Sequence, residues 1–195
     1  MIDKIEVLNG IFIYKVIYDG NHSKKEFLNK INLNKRIAGV TSDNTSLIVL
    51  NCAEFDEVRN LAVKITYELS NTSNDWIGKM WSYHQTKWNK KNTEYYHNHL
   101  FASHQPYSAE YLPILNDWTF CMYIQLPDNN VGNDGSISFK HNGNVNTIIP
   151  NERDIIFFPS TLLHMPNLNP NANAERVTLC GNISFQTNLE TNNIL

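Results

Sequence analysis

The stretch WTFCMYIQLPDNNVGNDGSISFKHNGNVNTIIPNERDIIFFP, residues 118–159, decides the fold. Trp118–Leu126 is the strongest strand in the chain. Its alternation puts Trp118, Phe120, Met122 and Ile124 on one face and Thr119, Cys121, Tyr123 and Gln125 on the other. Pro127–Gly135 predicts a turn and Ser136–Lys140 a returning strand. Asn142-Gly143 is a strong hairpin signal, because a two-residue type I′ turn needs positive φ at both positions. Val145–Ile149 follows it, Pro150–Arg153 turns again, and Asp154–Phe158 is the next strand. Short strands joined by Gly, Pro and Asn turns predict a closed or sandwiched antiparallel sheet.

Downstream, residues 159–174 read as irregular, Arg176–Phe185 as a last strand, and 186–195 as a tail. Upstream, Trp76–Tyr83 and the Tyr95–Phe101 segment read as strands. The connections 85–94 and 102–117 lie between them and the central strand. Residues 3–18 alternate loosely and predict one strand or a broken pair. Ser23–Ile31 resembles a short helix with Ser23 as cap and Glu26 three residues on. Leu47–Leu50 is a short apolar piece. The clearest helix covers about 53–69, where Phe55, Val58, Ala62, Ile65 and Leu69 form one apolar stripe widened by Leu61. The expected fold is mainly β with buttressing helices: a double-stranded β-helix, jelly-roll and cupin-like. It forms a single domain over 1–195, in which 1–75 supply an N-terminal strand and helices packing on the sheet and 76–187 form the core.

Composition narrows the function. A chain of 195 residues with 42% hydrophobic residues can bury a core. Sixteen Lys and Arg against 19 Asp and Glu argue against nucleic-acid binding driven by bulk charge. Lys87–Lys91 (KWNKK) is too short a basic patch to reverse that. No apolar run suits a membrane span, and the N-terminus does not read as a signal peptide. Cys52, Cys121 and Cys180 form no CxxC pair. The last two read as isolated, buried, inert thiols of a reducing compartment, so the expected localisation is cytoplasmic. The sequons at Asn21, Asn44, Asn71 and Asn182 are then chance matches among 29 Asn.

The histidines carry unequal weight. His22 and His84 read as structural and His141 as solvated. His97 and His99, two apart on a strand, leave the same face and can close on one metal ion. His164, at a strand exit, supplies a third imidazole. These ligands suit iron, zinc, nickel and copper alike. Arg176 opens the last strand twelve residues later, sharing a face with Thr178 and Cys180. An inward guanidinium there makes a carboxylate clamp; the alternative is an arginine at the sheet edge, solvated or paired with a nearby carboxylate. Tyr123 offers a further hydroxyl, or simply packs in the barrel. His104, followed by Glu110, is a second choice of first ligand.

These residues also carry a family resemblance. FPSTLLHMPNLNPNANAERVTLCGNISF, residues 158–185, resembles the C-terminal core motif of the Fe(II)/2-oxoglutarate-dependent oxygenases. It is most similar to the small group found in bacteria and tailed phages, marine ones included. Phe158-Pro159-Ser160, His164, Pro166 or Pro170, Arg176, Thr178 and Asn182 carry it, with Trp81, His97-Asn98-His99, Gly135 and Phe139 upstream. The resemblance implies that His97 and His164 ligate Fe(II). It further implies that Arg176, helped by Thr178 and Tyr123, holds the distal carboxylate of 2-oxoglutarate. The co-substrate would be decarboxylated to succinate as a substrate is hydroxylated. His99 stands where most of the superfamily has Asp or Glu, so it is either a third ligand or a neighbour of the site. The other readings are a cupin-like three-histidine metalloprotein that does not use 2-oxoglutarate, and a non-catalytic jelly-roll component of a phage. Partners are a small molecule or protein side chain as substrate, no membrane, and an edge-strand homodimer. If phage-encoded, the protein would work in the host cytoplasm.

Overall fold

The computed structural model describes residues 1–40, 45–49, 51–70, 75–85, 96–99, 118–127, 135–167 and 175–185. The N-terminal alternation resolves into a hairpin, β1 (Ile2–Leu8) and β2 (Ile11–Ile17). Helix α1 (Lys24–Ile37) starts at Ser23 with the expected capping box: the Ser23 side chain accepts from the Glu26 amide, and the Glu26 carboxylate accepts from the Ser23 amide. It runs six residues past the expected end. Its asparagines argue against helix locally, but Asn34 is buried and donates to the Ile48 carbonyl at 2.8 Å, so a tertiary contact extends it.

After α1 come β3 (Thr45–Ile48), helix α2 (Ala53–Ser70) and β4 (Asp75–Gln85). Then follow β5 (Trp118–Gln125), β6 (Ile137–His141), β7 (Asn144–Ile148), β8 (Asp154–Pro159), β9 (Leu163–Pro166) and β10 (Arg176–Phe185). Seven strands form one sheet in the order β1-β2-β8-β5-β10-β4-β3, and three form a second, β7-β6-β9; every pairing is antiparallel. The β6–β7 turn is as expected, with Asn142 at φ 48° and Gly143 at φ 81°.

The large sheet has a core on each face. Phe120, Met122, Ile124, Val177, Leu179 and Ile183 pack with Phe27, Ile31, Phe55 and Val58 of the helices. Gly181 belongs to this layer by necessity: a Cβ there would lie 2.6 Å from the Phe120 ring. The opposite face gathers Cys121, Tyr123, Ile156 and Phe158 with Ile137 and Phe139 of the small sheet. Strand alternation therefore points Arg176, Thr178 and Cys180 away from the helices and into the layer between the sheets.

Two strand assignments change. Tyr95–Phe101 is not a strand over its described residues 96–99; His97 makes one isolated bridge to His164. The supposedly irregular stretch after residue 159 contains β9, which pairs along β6 from Leu163↔Lys140 to Pro166↔Ile137. A four-residue strand ending in a proline carries too little local pattern to be seen, and its partner supplies the order. His104, Glu110 and the segments 86–94 and 102–117 lie outside the described residues.

Candidate metal centre

His164 is the anchor of the site. It lies in β9 opposite Phe139 and is only 5% exposed, with its ring 4.6 Å from that of Phe158. On its other side the backbone bonds reciprocally to His97, amide to carbonyl at 2.9 and 3.1 Å. His99 is fixed separately: its amide donates to the Ser160 carbonyl at 2.9 Å, and its ring sits 5.3 Å from Trp81. Thus one bridge and one amide bond, rather than a strand, turn both residues towards His164.

The three ring centroids are 4.3 to 5.0 Å apart, and one nitrogen from each ring lies within 4.8 Å of the others. One ion with metal–nitrogen bonds of about 2.1 Å can be shared after modest ring rotation. His164 Nδ1 lies 3.1 Å from the Leu162 carbonyl, which can only accept, so Nδ1 carries the proton and Nε2 keeps its lone pair for a metal. Burial, then the neighbouring His97, lowers His99 to about 4. Burial also holds His164 well below the usual histidine range, with His97, His99 and Arg176 adding to the effect. Both are neutral ligands at neutral pH. Among the described residues no carboxylate joins the cluster.

These shifts predict a pH dependence for the metal-free protein. An unfolded histidine titrates near 6.5, above the native His99 and His164. Between that pH and about 4 the unfolded chain therefore binds more protons than the native one. Stability falls as pH drops through this window, by roughly 1 kcal/mol per pH unit for each imidazole. Urea melts at pH 7, 6 and 5 check it; saturating metal ion should raise stability at each pH without removing the slope, because the unfolded histidines still take up protons.

Arg176 is 3% exposed, which removes the solvated-edge reading. Its guanidinium carbon stands 5.3 Å from the centroid of the Tyr123 ring. Tyr123 is fully buried, and among the described residues its hydroxyl meets no partner in good hydrogen-bond geometry. Burial pushes that hydroxyl well above the ordinary tyrosine range, so it stays protonated and able to donate. Thr178 is Tyr123's register partner and shares Arg176's face. A buried cation, a protonated phenol and a hydroxyl in one wall make a donor set suited to a carboxylate.

Sequence reasoning missed two features here. Cys121 and Cys180 are not isolated: they face each other across β5 and β10 with sulfurs 3.3 Å apart. The hydrogen bond from Cys180 lowers the Cys121 thiol, helped by the Arg176 charge. The second is a polar chain in which the Thr119 hydroxyl lies 2.9 Å from Ser160 Oγ and donates to Asn182 Oδ1 at 3.0 Å. It ties β5 and β10 to the residue that holds the His99 amide. Asn182, once a formal sequon, is thereby engaged inside the fold. His22 is structural as expected, with Nε2 3.3 Å from Glu57.

No family model and no curated protein matches the chain. Solved structures do. A viral collagen prolyl hydroxylase from Paramecium bursaria Chlorella virus-1, in complex with 2-oxoglutarate, superposes with a TM-score of 0.62 at 15% identity, over 91% of this chain and 98% of that one. HygX from Streptomyces hygroscopicus, with nickel and 2-oxoglutarate bound, gives 0.65 at 8% identity over 89% and 83%. A prolyl hydroxylase from Trichoplax adhaerens gives 0.56 at 14% over 89% and 83%. The chain has the fold of these proteins. The double-stranded β-helix expected from the strand pattern is therefore the observed architecture, and it groups three histidines that could hold one metal ion. Among the described residues no helix is long and apolar enough to cross a membrane.

Proposed function

We propose that the protein is a non-haem Fe(II), 2-oxoglutarate-dependent dioxygenase that hydroxylates a small molecule or a protein side chain. The observation that carries the reading is a cluster of three imidazoles, one of which, His164, lies near enough to the buried Arg176 to feel its charge. The donor set fits the cofactor: His97, His99 and His164 would hold the iron, with His99 replacing the usual carboxylate. Arg176 would take the distal carboxylate of 2-oxoglutarate, with Thr178 and Tyr123 donating beside it. Bound there, iron would supply the oxygen activation that couples decarboxylation of the co-substrate to hydroxylation.

The protein's own contribution is positional. The Leu162 carbonyl fixes the His164 tautomer, the His97 bridge fixes its partner, and Phe139 and Phe158 exclude water behind the cluster. Three neutral ligands leave the full charge of a dication, and a dicarboxylate co-substrate would offset it. The Phe158-Pro159-Ser160 to Arg176 spacing supports a place among the small bacterial and phage oxygenases, working in a reducing cytoplasm.

Anaerobic titration of the metal-free protein with Fe(II), then 2-oxoglutarate, tests the reading. A weak visible metal-to-ligand charge-transfer band is the expected result. Iron binding without the band favours the cupin-like alternative, to which the absence of a carboxylate at residue 99 also points. Failure to bind any metal leaves a structural jelly roll.

A further inference from the structure

Cys121 and Cys180 are direct register partners on adjacent antiparallel strands. Such partners have Cα atoms about 4.5–5.5 Å apart, inside the range of about 4.4–6.8 Å that a disulfide spans. Their sulfurs are already in contact at 3.3 Å, so a bond requires an approach of only about 1.2 Å. Both side chains leave the strands on the face that carries Arg176, Thr178 and Tyr123, and Cys180 Sγ lies 3.7 Å from Thr178 Oγ1. Cys121 is buried and Cys180 half-buried, so a molecule as small as peroxide would reach the Cys121 sulfur past Cys180.

We propose that Cys121 and Cys180 form a reversible, peroxide-oxidised disulfide in the wall of the carboxylate-binding site, and that the linked form binds a dicarboxylate poorly. The second half rests on the oxygenase reading; the first does not.

The chemistry closes with hydrogen peroxide as oxidant. Cys121, favoured as the thiolate by the Cys180 hydrogen bond and the Arg176 charge, attacks one peroxide oxygen. The O–O bond breaks, hydroxide leaves and takes the proton Cys121 released, and the sulfur becomes a sulfenic acid. Cys180 then attacks that sulfur; its thiol proton and the sulfenic hydroxyl leave together as a second water. Two thiols lose two electrons, and one peroxide becomes two waters. Drawing the sulfurs together moves Thr178 and Tyr123, which pair two rungs along the same strands, so the dicarboxylate loses its aligned donors.

The test treats the reduced full-length protein with hydrogen peroxide, then measures intact mass, free thiols and 2-oxoglutarate binding to the Ni(II)-loaded protein. Expected are a mass lower by about two units, one free thiol of the original three, and a Cys121–Cys180 linked peptide, all reversed by dithiothreitol. Affinity for 2-oxoglutarate should fall about tenfold or more. Cys52→Ser should keep the link, whereas Cys180→Ser should abolish both the link and the peroxide-induced loss of affinity. A link through Cys52, or oxygen added to one sulfur without a link, overturns the redox site. A clean Cys121–Cys180 link with unchanged affinity overturns its coupling to the ligand. A link formed in protein that binds no 2-oxoglutarate even when reduced defeats the oxygenase reading and supports the redox site.

Discussion

His164→Ala is expected to lower metal affinity by at least about 100-fold, since even loss of a group that merely orients a ligand costs 10- to 100-fold. The residue supplies one of three imidazoles, and its Nε2 is the nitrogen whose lone pair the Leu162 contact leaves available. Titration calorimetry with Ni(II), which avoids oxidation, reads the effect. His164 is buried against Phe158, so its truncation also loosens packing. His97→Ala separates the two effects: its side chain is exposed, stability should hardly change, and affinity should still collapse. His99→Ala decides between three ligands and two, and a loss as large as that of His97→Ala is the expected result. His99→Asp should retain the metal, because a carboxylate adds charge to an otherwise neutral set. If His99→Ala binds Ni(II) like the unaltered protein, the centre is a two-histidine one.

How much of this was legible beforehand depended on whether the signal was local. Alternation along Trp118–Gln125 assigned Tyr123 and Cys121 to one face and Phe120 and Met122 to the other, and the two cores divide along that line. The same rule turned Arg176 inward with Thr178. Asn142-Gly143 dictated its turn because few other pairs accept two positive φ values. What stayed hidden was register between distant segments. Nothing near Cys121 or Cys180 says that they share a rung 59 residues apart, and nothing in His97–His99 says that a single bridge to β9 replaces a strand. Strand-period reasoning grouped the three histidines that the structure brings near one another, but assumed a strand that is not there. The extra turns of α1 were hidden for a related reason: Asn34 is a poor helix residue until Ile48 arrives to accept its amide.

Arg176→Met should abolish measurable 2-oxoglutarate binding while leaving Ni(II) affinity within a few-fold. Truncating one partner of a buried, hydrogen-bonded charge pair costs about 2–5 kcal/mol, which is roughly 30- to several-thousand-fold in affinity. Met approximates the volume and stem of Arg, so the layer between the sheets stays filled and the charge alone is lost. Arg176→Lys is the sharper comparison. It keeps the charge but not the planar fork, so a two-point contact predicts a partial loss, between Met and the unaltered protein. Tyr123→Phe should cost less, about 1.5–3 kcal/mol, the value of one hydrogen bond to a charged group. A purely structural Arg176 gives a different pattern: a lower melting temperature for Arg176→Met with unchanged 2-oxoglutarate affinity in whatever remains folded. The guanidinium is 3% exposed beside the Tyr123 ring, so desolvating it has already cost the folded protein stability. A dicarboxylate arriving at that wall meets a cation with little water to displace, where each hydrogen bond is worth more than it would be at the surface.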